Sequence, residues 1–298
     1  MADLQSIESL KATLSEEVKS FCRDDRDWKR PISRTVRELR EMEQQSVFFG
    51  GTLRSLLTSR LDYHRPGRPR DVDIVMRDIG IETLRSRFHD IVARETRFGG
   101  LQLKRVHWQF DIWPLDRTWM FVNERKISPN FADLPSTTFL NLEAIAVEVW
   151  PRPGHSRRIY SGDDQFFRGI LNSEVEVNRE ENPHPDLCVV RALILASSLG
   201  YRLGPRLSAL ISSWGARLPE GELERVQTTH YGAVRFSGRI LREWIRFIGH
   251  SVAKDDAKPV YLPKSRQLPL FPTESEKFGI NVRCYSFGHG SSLRSAAQ

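Results

Sequence analysis

The sequence predicts an α+β protein: a mixed sheet with flanking helices, followed by a mainly helical neck and body. Three observations predict it. The β-prone run Ser46 to Phe49 ends on Gly50-Gly51 and leads into Leu53, Leu56 and Leu57 at helical spacing. Asp71 to Met76 alternates as a strand does, and Leu101 to Leu115 holds one or two further strands. Leu187 to Leu199 is a strongly apolar helix closed by Gly200.

The elements follow in order. Ile7, Leu10, Leu14, Val18 and Phe21 recur at three- and four-residue spacing and predict a first helix. Pro31 breaks or starts an element. Ser33 to Gln45 is helical, with Val36, Leu39 and Met42 on one face. Asp62 to Pro69 is polar, holds Pro and Gly, and predicts a loop. Residues 81–95 read as helix, Gly99-Gly100 as a turn, and Phe139 to Trp150 as a helix leading into a strand. Residues 163–172 are helical, and Asn182 to Pro185 is a linker or helix start. Helix-like segments with Gly and Pro breaks run to about residue 250, before a loop-rich tail. The expected division is an N-terminal helical segment (1–32), a head (33–172) and a neck and body with the tail (173–298).

At 298 residues, with 39% hydrophobic and 28% charged, the chain has the composition of a globular protein with a sizeable core. A net charge of +7 suits a polyanionic partner such as RNA without requiring one. Cys22, Cys188 and Cys284 form no CxxC pair, so the expectation is a reducing, cytoplasmic compartment and no thiolate zinc site. MADLQSIESL has no signal-peptide pattern, and no apolar run is long enough to span a bilayer, so no membrane association is expected.

The chemistry lies in Gly50-Gly51, then Asp71-Val72-Asp73, then Phe110-Asp111-Ile112. Residues two apart on a strand point to one side, so Asp71 and Asp73 project together. Two close carboxylates repel unless a cation lies between them, and magnesium prefers oxygen ligands and shares them with phosphates. Asp111 is an acid inside an apolar strand, where a lone carboxylate is costly, and it predicts the third ligand of a two-metal site. The glycine turn lets backbone N–H groups approach a triphosphate, and Arg54, one turn into the helix, adds a charge-assisted contact. A DxD pair or a Gly-Gly turn alone is a weak signal. The full set, in this order and context, is much stronger.

These residues resemble a known family. VFFGGTLRSLL followed by RPRDVDIVM is similar to the first motif of class II CCA-adding enzymes and bacterial poly(A) polymerases, within the DNA-polymerase-beta nucleotidyltransferase superfamily. Gly50, Gly51, Arg54, Asp71 and Asp73 match its Gly-Gly-x-Val-Arg-Asp and Asp-x-Asp, while Ser55 stands where the family has Asp. Leu140 to Ala146 resembles the family's Phe-Thr-Ile-Asn-Ala-x-Ala, with Glu143 in place of Asn and Thr137-Thr138-Phe139 in place of Arg-Arg-Asp. Arg191-Ala192-Leu193, Leu195-Ala196 and Leu199-Gly200-Tyr201 look like its neck helix. The likeness covers about residues 33–205. It departs at the base-selecting Glu-Asp-x-x-Arg, whose Asp and Arg fall at Pro185 and Cys188, neither of which presents a base-pairing edge.

The resemblance implies a polymerase-beta-type head and a template-independent, two-metal nucleotidyltransferase. Asp71, Asp73 and Asp111 would be both catalytic residues and ligands of two Mg2+ ions. Gly50, Gly51, Thr52, Arg54 and Arg191 would bind the NTP. The acceptor would be an RNA 3′ end, tRNA-like, with release of pyrophosphate. Two alternatives remain open: a toxin or defence factor that modifies tRNA or a protein side chain, and an inactive RNA-binding relative.

Other residues carry weaker signals. Arg65, Arg68 and Arg70 suit either a phosphate contact beside the site or a solvated loop. Trp108 and Trp113 flank Asp111 and suit core packing more often than base stacking. His64, His89 and His107 lack metal-ligand spacing. Arg235, Arg239, Arg242 and Arg246 form a helical basic stripe, most often a solvated face.

Overall fold

A computed structural model describes residues 6–23, 29–42, 44–62, 68–96 and 98–263. The tail expected after about residue 250 falls largely outside the described residues, as do Cys284, His64 and Arg65.

Helices α1 (Ile7–Arg23) and α2 (Arg30–Arg40) come first. The predicted apolar face of α1 is buried at Leu10, Leu14, Val18 and Phe21, and Pro31 lies in the first turn of α2, where its missing N–H costs nothing. Strand β1 (Ser46–Phe49) runs into α3 (Gly51–Leu61), then β2 (Val72–Met76) and α4 (Ile81–Arg87). A hairpin follows, β4 (Leu101–Arg105) and β5 (Trp108–Pro114), with β3 (Val92–Glu95) paired outside it. Strands β6 (Ala146–Glu148) and β7 (Ile159–Tyr160) complete a seven-stranded sheet in the order β3-β4-β5-β2-β1-β6-β7. The β2–β5 pair is parallel and all the others in this sheet are antiparallel, so the sheet is mixed as predicted.

Two expectations are corrected. Residues 81–95 are not one helix: α4 stops at Arg87, and Val92 and Glu95 pair with Leu103 and Leu101. Pairing with β4 overrides the weak helical preference of Val-Ala-Arg-Glu. Phe139 to Trp150 contains only a single 3-10 turn, Asn141–Glu143, before β6. There the Asn141 side chain accepts from the Leu142 and Glu176 backbone N–H groups and donates to the Glu174 carbonyl. Asn141 thereby offers the backbone an alternative to helix.

The helical part comprises α6 (Gln165–Leu171), α7 (Pro185–Leu199), α8 (Pro205–Gly215), α9 (Glu220–Tyr231) and α10 (Gly238–Lys254), after the short α5 (Trp119–Asn123) in the sheet region. α7 starts on Pro185 and ends on Gly200 in the left-handed region (φ 65°), the expected punctuation. A two-stranded parallel ladder, β8 (Glu174–Val175) with β9 (Arg202–Leu203), ties the segment before α7 to the one after it. Among the described residues no helix is long and apolar enough to cross a membrane.

The core is layered on the two faces of the sheet. On one face Phe48, Val72, Ile74, Met76, Phe110 and Ile112 pack with α1 and α3 residues in the large cluster that continues into α7 to α10. On the other, Val47, Val75, Leu115, Phe121, Phe131, Leu134 and Ala146 form a smaller cluster, with Phe49, Trp113 and Tyr160 against it. Since successive side chains alternate, Asp71, Asp73 and Asp111 belong to this second face, beyond the end of its apolar cluster.

Candidate active site

The strand–glycine–helix turn sits at the head of the site. Gly50 has φ 58° and ψ −121°, a conformation that disfavours any side chain, and its N–H donates to the Ile145 carbonyl at 3.0 Å. The Gly51 and Thr52 N–H groups, at the start of α3, thus open at the C-terminal end of the interior strand β1, where no preceding turn of helix can accept from them. Thr52 is fully buried and joins this turn to the aspartates. Its hydroxyl donates to the Asp71 carbonyl at 3.3 Å and accepts from the Asp73 N–H at 3.0 Å. One side chain therefore fixes where the Asp-x-Asp backbone lies relative to the glycine turn.

The register brings the third acid in. Asp73 and Asp111 are directly paired residues of the parallel β2–β5 ladder, and their side chains leave the same face. The carboxyl of Asp73 is pushed well above the usual carboxylate range by burial and by its neighbours Asp71 and Asp111. That of Asp111 is raised by burial, against the pull of a hydrogen bond from Gln102 Nε2 at 3.0 Å. Asp71 accepts from Arg70 Nη2 at 2.6 Å and Nε at 3.1 Å, both on Oδ2.

Three hard oxygen donors that repel one another fit a divalent cation of the magnesium type. Among the described residues no group of three or more His, Cys, Asp or Glu side chains is already gathered as a ligand set. In this structure Arg70 engages Asp71, and Gln102 engages Asp111.

Arg54 and Arg191 meet at a residue the sequence reading did not select. Glu143, buried at the 3-10 turn, accepts from Arg54 Nη1 at 3.0 Å and from Arg191 Nη2. Burial alone would raise its carboxyl, but Arg191 and Arg54 outweigh burial and hold it below the ordinary range. Its signal was available: like Asp111, it is an acid inside an apolar stretch.

The end of α9 closes one side. Arg70 Nη1 donates to the His230 carbonyl at 3.3 Å, and its guanidinium lies 5.2 Å from the Tyr231 ring centre, with Arg235 at 4.4 Å. Burial, Arg70 and Arg191 push His230 down to about 4, so it is neutral near pH 7. Nothing local in the sequence marks His230 or Tyr231, because only tertiary packing brings them here.

Other residues named from the sequence make the following contacts. Arg68 stacks over Trp108 at 4.6 Å, and Trp108 is buried against Phe21. Trp113 donates Nε1–H to Thr118 at 3.1 Å and packs edge-on to Phe49. In the α10 stripe, Arg242 donates to the Gly215 and Ala216 carbonyls at the end of α8, while Arg239 and Arg246 are exposed.

No protein-family model matches the chain, and no curated protein sequence does. Solved structures do match it. A Thermotoga maritima CCA-adding enzyme complexed with tRNA aligns at TM-score 0.50 and 14% identity, over 80% of this chain and 54% of that one. The fold is shared with CCA-adding enzymes. An apo tRNA-processing enzyme aligns at TM-score 0.49 and 17% identity, over 78% of this chain and 59% of that one. A CCA-adding enzyme in complex with ATP aligns at 0.47 and 13%, over 85% and 51%. This chain therefore spans between about half and three fifths of these enzymes' length.

Proposed function

We propose that the protein is a metal-dependent nucleotidyltransferase of the DNA-polymerase-beta superfamily. It would transfer NMP from an NTP to an acceptor hydroxyl, an RNA 3′ end of tRNA type. The observation that carries this reading is the pairing of Asp73 with Asp111 beside Asp71, joined through Thr52 to the Gly50-Gly51 turn. The solved neighbours include enzymes complexed with tRNA and with ATP, which supports nucleotide and RNA as partners.

Residues 33–172 form the catalytic head on this reading, 173–298 the neck, body and tail, and 1–32 an N-terminal helical segment whose α1 packs on α3. Asp71, Asp73 and Asp111 hold two Mg2+ ions, which when bound supply Lewis-acid stabilisation of the phosphoryl oxygens. The Gly50-Gly51 turn, Thr52, Arg54 and Arg191 bind and orient the triphosphate. The acceptor oxygen forms a bond to the α-phosphorus as the α–β bridging bond breaks, and pyrophosphate leaves. Asp111 helps to take the proton of the acceptor hydroxyl, either directly or through the metal it would hold. The base-selecting positions at Pro185 and Cys188 carry no pairing edge, and Cys188 is buried, so base choice differs from that of CCA-adding enzymes.

The test is transfer itself. Purified protein, magnesium, total RNA and each α-labelled NTP in turn should label RNA, and an Asp71→Ala/Asp73→Ala variant should not. Label on protein instead of RNA would move the acceptor to a side chain. No label anywhere, with no magnesium-dependent NTP binding, would leave a non-catalytic RNA-binding protein.

A further inference from the structure

We propose that Glu143 is a positioning residue that holds Arg54 of α3 and Arg191 of α7 as one preorganised phosphate-binding pair. The inference rests on the nucleotide-transfer reading of this site.

Its Oε1 accepts from both guanidiniums, and the side chain is 10% exposed. One acceptor oxygen shared by both guanidiniums fixes where the two forks sit relative to each other. A guanidinium has five N–H donors, so a single bond to Glu143 leaves most of each fork for a polyanion. Two cations and one anion leave the group net positive.

Placement sets the cluster apart from an ordinary buried ion pair. A Cβ added at Gly51 would come 3.4 Å from Arg54 Nη2, and one at Gly50 would come 3.8 Å from the Glu143 carbonyl oxygen. The Arg54 fork and the Glu143 backbone and Cβ therefore lie against the glycine turn that opens α3. Stability alone is a weak reason for such a cluster, because desolvation offsets much of the attraction in a buried salt bridge.

Positioning and plain charge balance make opposite predictions. Glu143→Asp keeps the charge but shortens the reach, so one carboxylate oxygen no longer meets both guanidiniums. Glu143→Gln removes the charge but keeps an acceptor oxygen at the same reach. The experiment titrates inorganic tripolyphosphate, with magnesium, into the full chain by calorimetry, alongside melting curves and the NTP dependence of transfer. Glu143→Asp should weaken binding about tenfold or more, and Glu143→Gln by less than about threefold. The KM for NTP should rise in the same order as binding weakens. Wild-type binding by Glu143→Asp, with tighter binding by Glu143→Gln, would overturn the proposal in favour of charge balance. A lowered melting temperature in both variants, with unchanged affinity, would overturn it in favour of a purely structural role. A wild-type protein that binds neither tripolyphosphate nor NTP would instead sink the nucleotide-transfer reading, and this inference with it.

Discussion

The two faces of β2 and β5 are made from alternate residues of the same strands, yet they obey different rules. Val72, Ile74 and Met76, with Phe110 and Ile112, are buried in the large hydrophobic core. Asp71, Asp73 and Asp111 leave the opposite face, and there burial and mutual repulsion raise the carboxyls of Asp73 and Asp111. Apolar residues on both faces, Ile74 on one and Val75 on the other, lower the free energy of the fold. Beyond the end of its apolar cluster, the second face also holds charge that burial penalises. A cluster that costs stability and still has a hydrogen-bonded framework, in Thr52, Gln102 and Arg70, points to function at that face.

Single substitutions can separate the faces, and the largest effect is expected on the acidic one. Asp71→Ala should lower the rate of NMP transfer by about a thousandfold, the equivalent of roughly 4 kcal/mol of transition-state stabilisation. Its melting temperature should fall little, as a thermal scan beside the transfer assay would show. A variant that retained most of its rate would remove Asp71 from the ligand set.

On the apolar face the sign reverses. Ile74 is fully buried, and Ile74→Ala should cost about 2–5 kcal/mol in denaturant unfolding. The rate per folded molecule should change far less than in Asp71→Ala. Comparable rate losses in the two variants would dissolve the distinction between the faces.

Thr52 sits between the two regimes. Thr52→Val keeps the shape but orphans the Asp73 N–H, at a cost of about 1–3 kcal/mol. Transfer should also weaken, since the Asp-x-Asp backbone loses its tie to the glycine turn. Loss of stability without loss of rate would make the hydroxyl structural alone.

The smallest effect is one of pH. Glu143 has a folded-state pKa below its ordinary value, so the unfolded chain binds its proton more readily. Its ionised form therefore adds stability that is fully present above the unfolded value, about 4.3, and is lost as pH falls through the folded value. Unfolding measured from about pH 6 down to about pH 3 should show wild type and Glu143→Gln converging in stability toward the acid end. A constant gap would mean that the carboxylate gains nothing from Arg191 and Arg54.

Much of this contrast was legible in the sequence because its causes are local. The strand–glycine–helix turn and the Asp-x-Asp alternation each lie within a dozen residues, and Asp111 betrayed itself as an acid between Phe110 and Ile112. The direct pairing of Asp73 with Asp111 was not legible, since register across a parallel ladder depends on chain far from either residue. Glu143 carried the same signal as Asp111, but the helix expected at Phe139 to Trp150 hid its position in a tight turn. Residues 81–95 misled for a related reason. An edge strand whose residues are mostly exposed has little apolar alternation of its own, and its pairing with β4 decides its form. His230 and Tyr231 reach the site only through the packing of α9 on α7 and beside Arg70.

Asp73 tests the central contrast most directly, because it is the acid set most firmly into the sheet. The measurement is magnesium-dependent NMP transfer and metal-free thermal unfolding on one preparation of Asp73→Asn. The expected result is transfer reduced by about a thousandfold with a melting temperature equal to or above that of wild type, since a repelled buried charge has been removed. Transfer at the wild-type rate, or a large drop in melting temperature, would contradict the assignment of this face to metal and nucleotide.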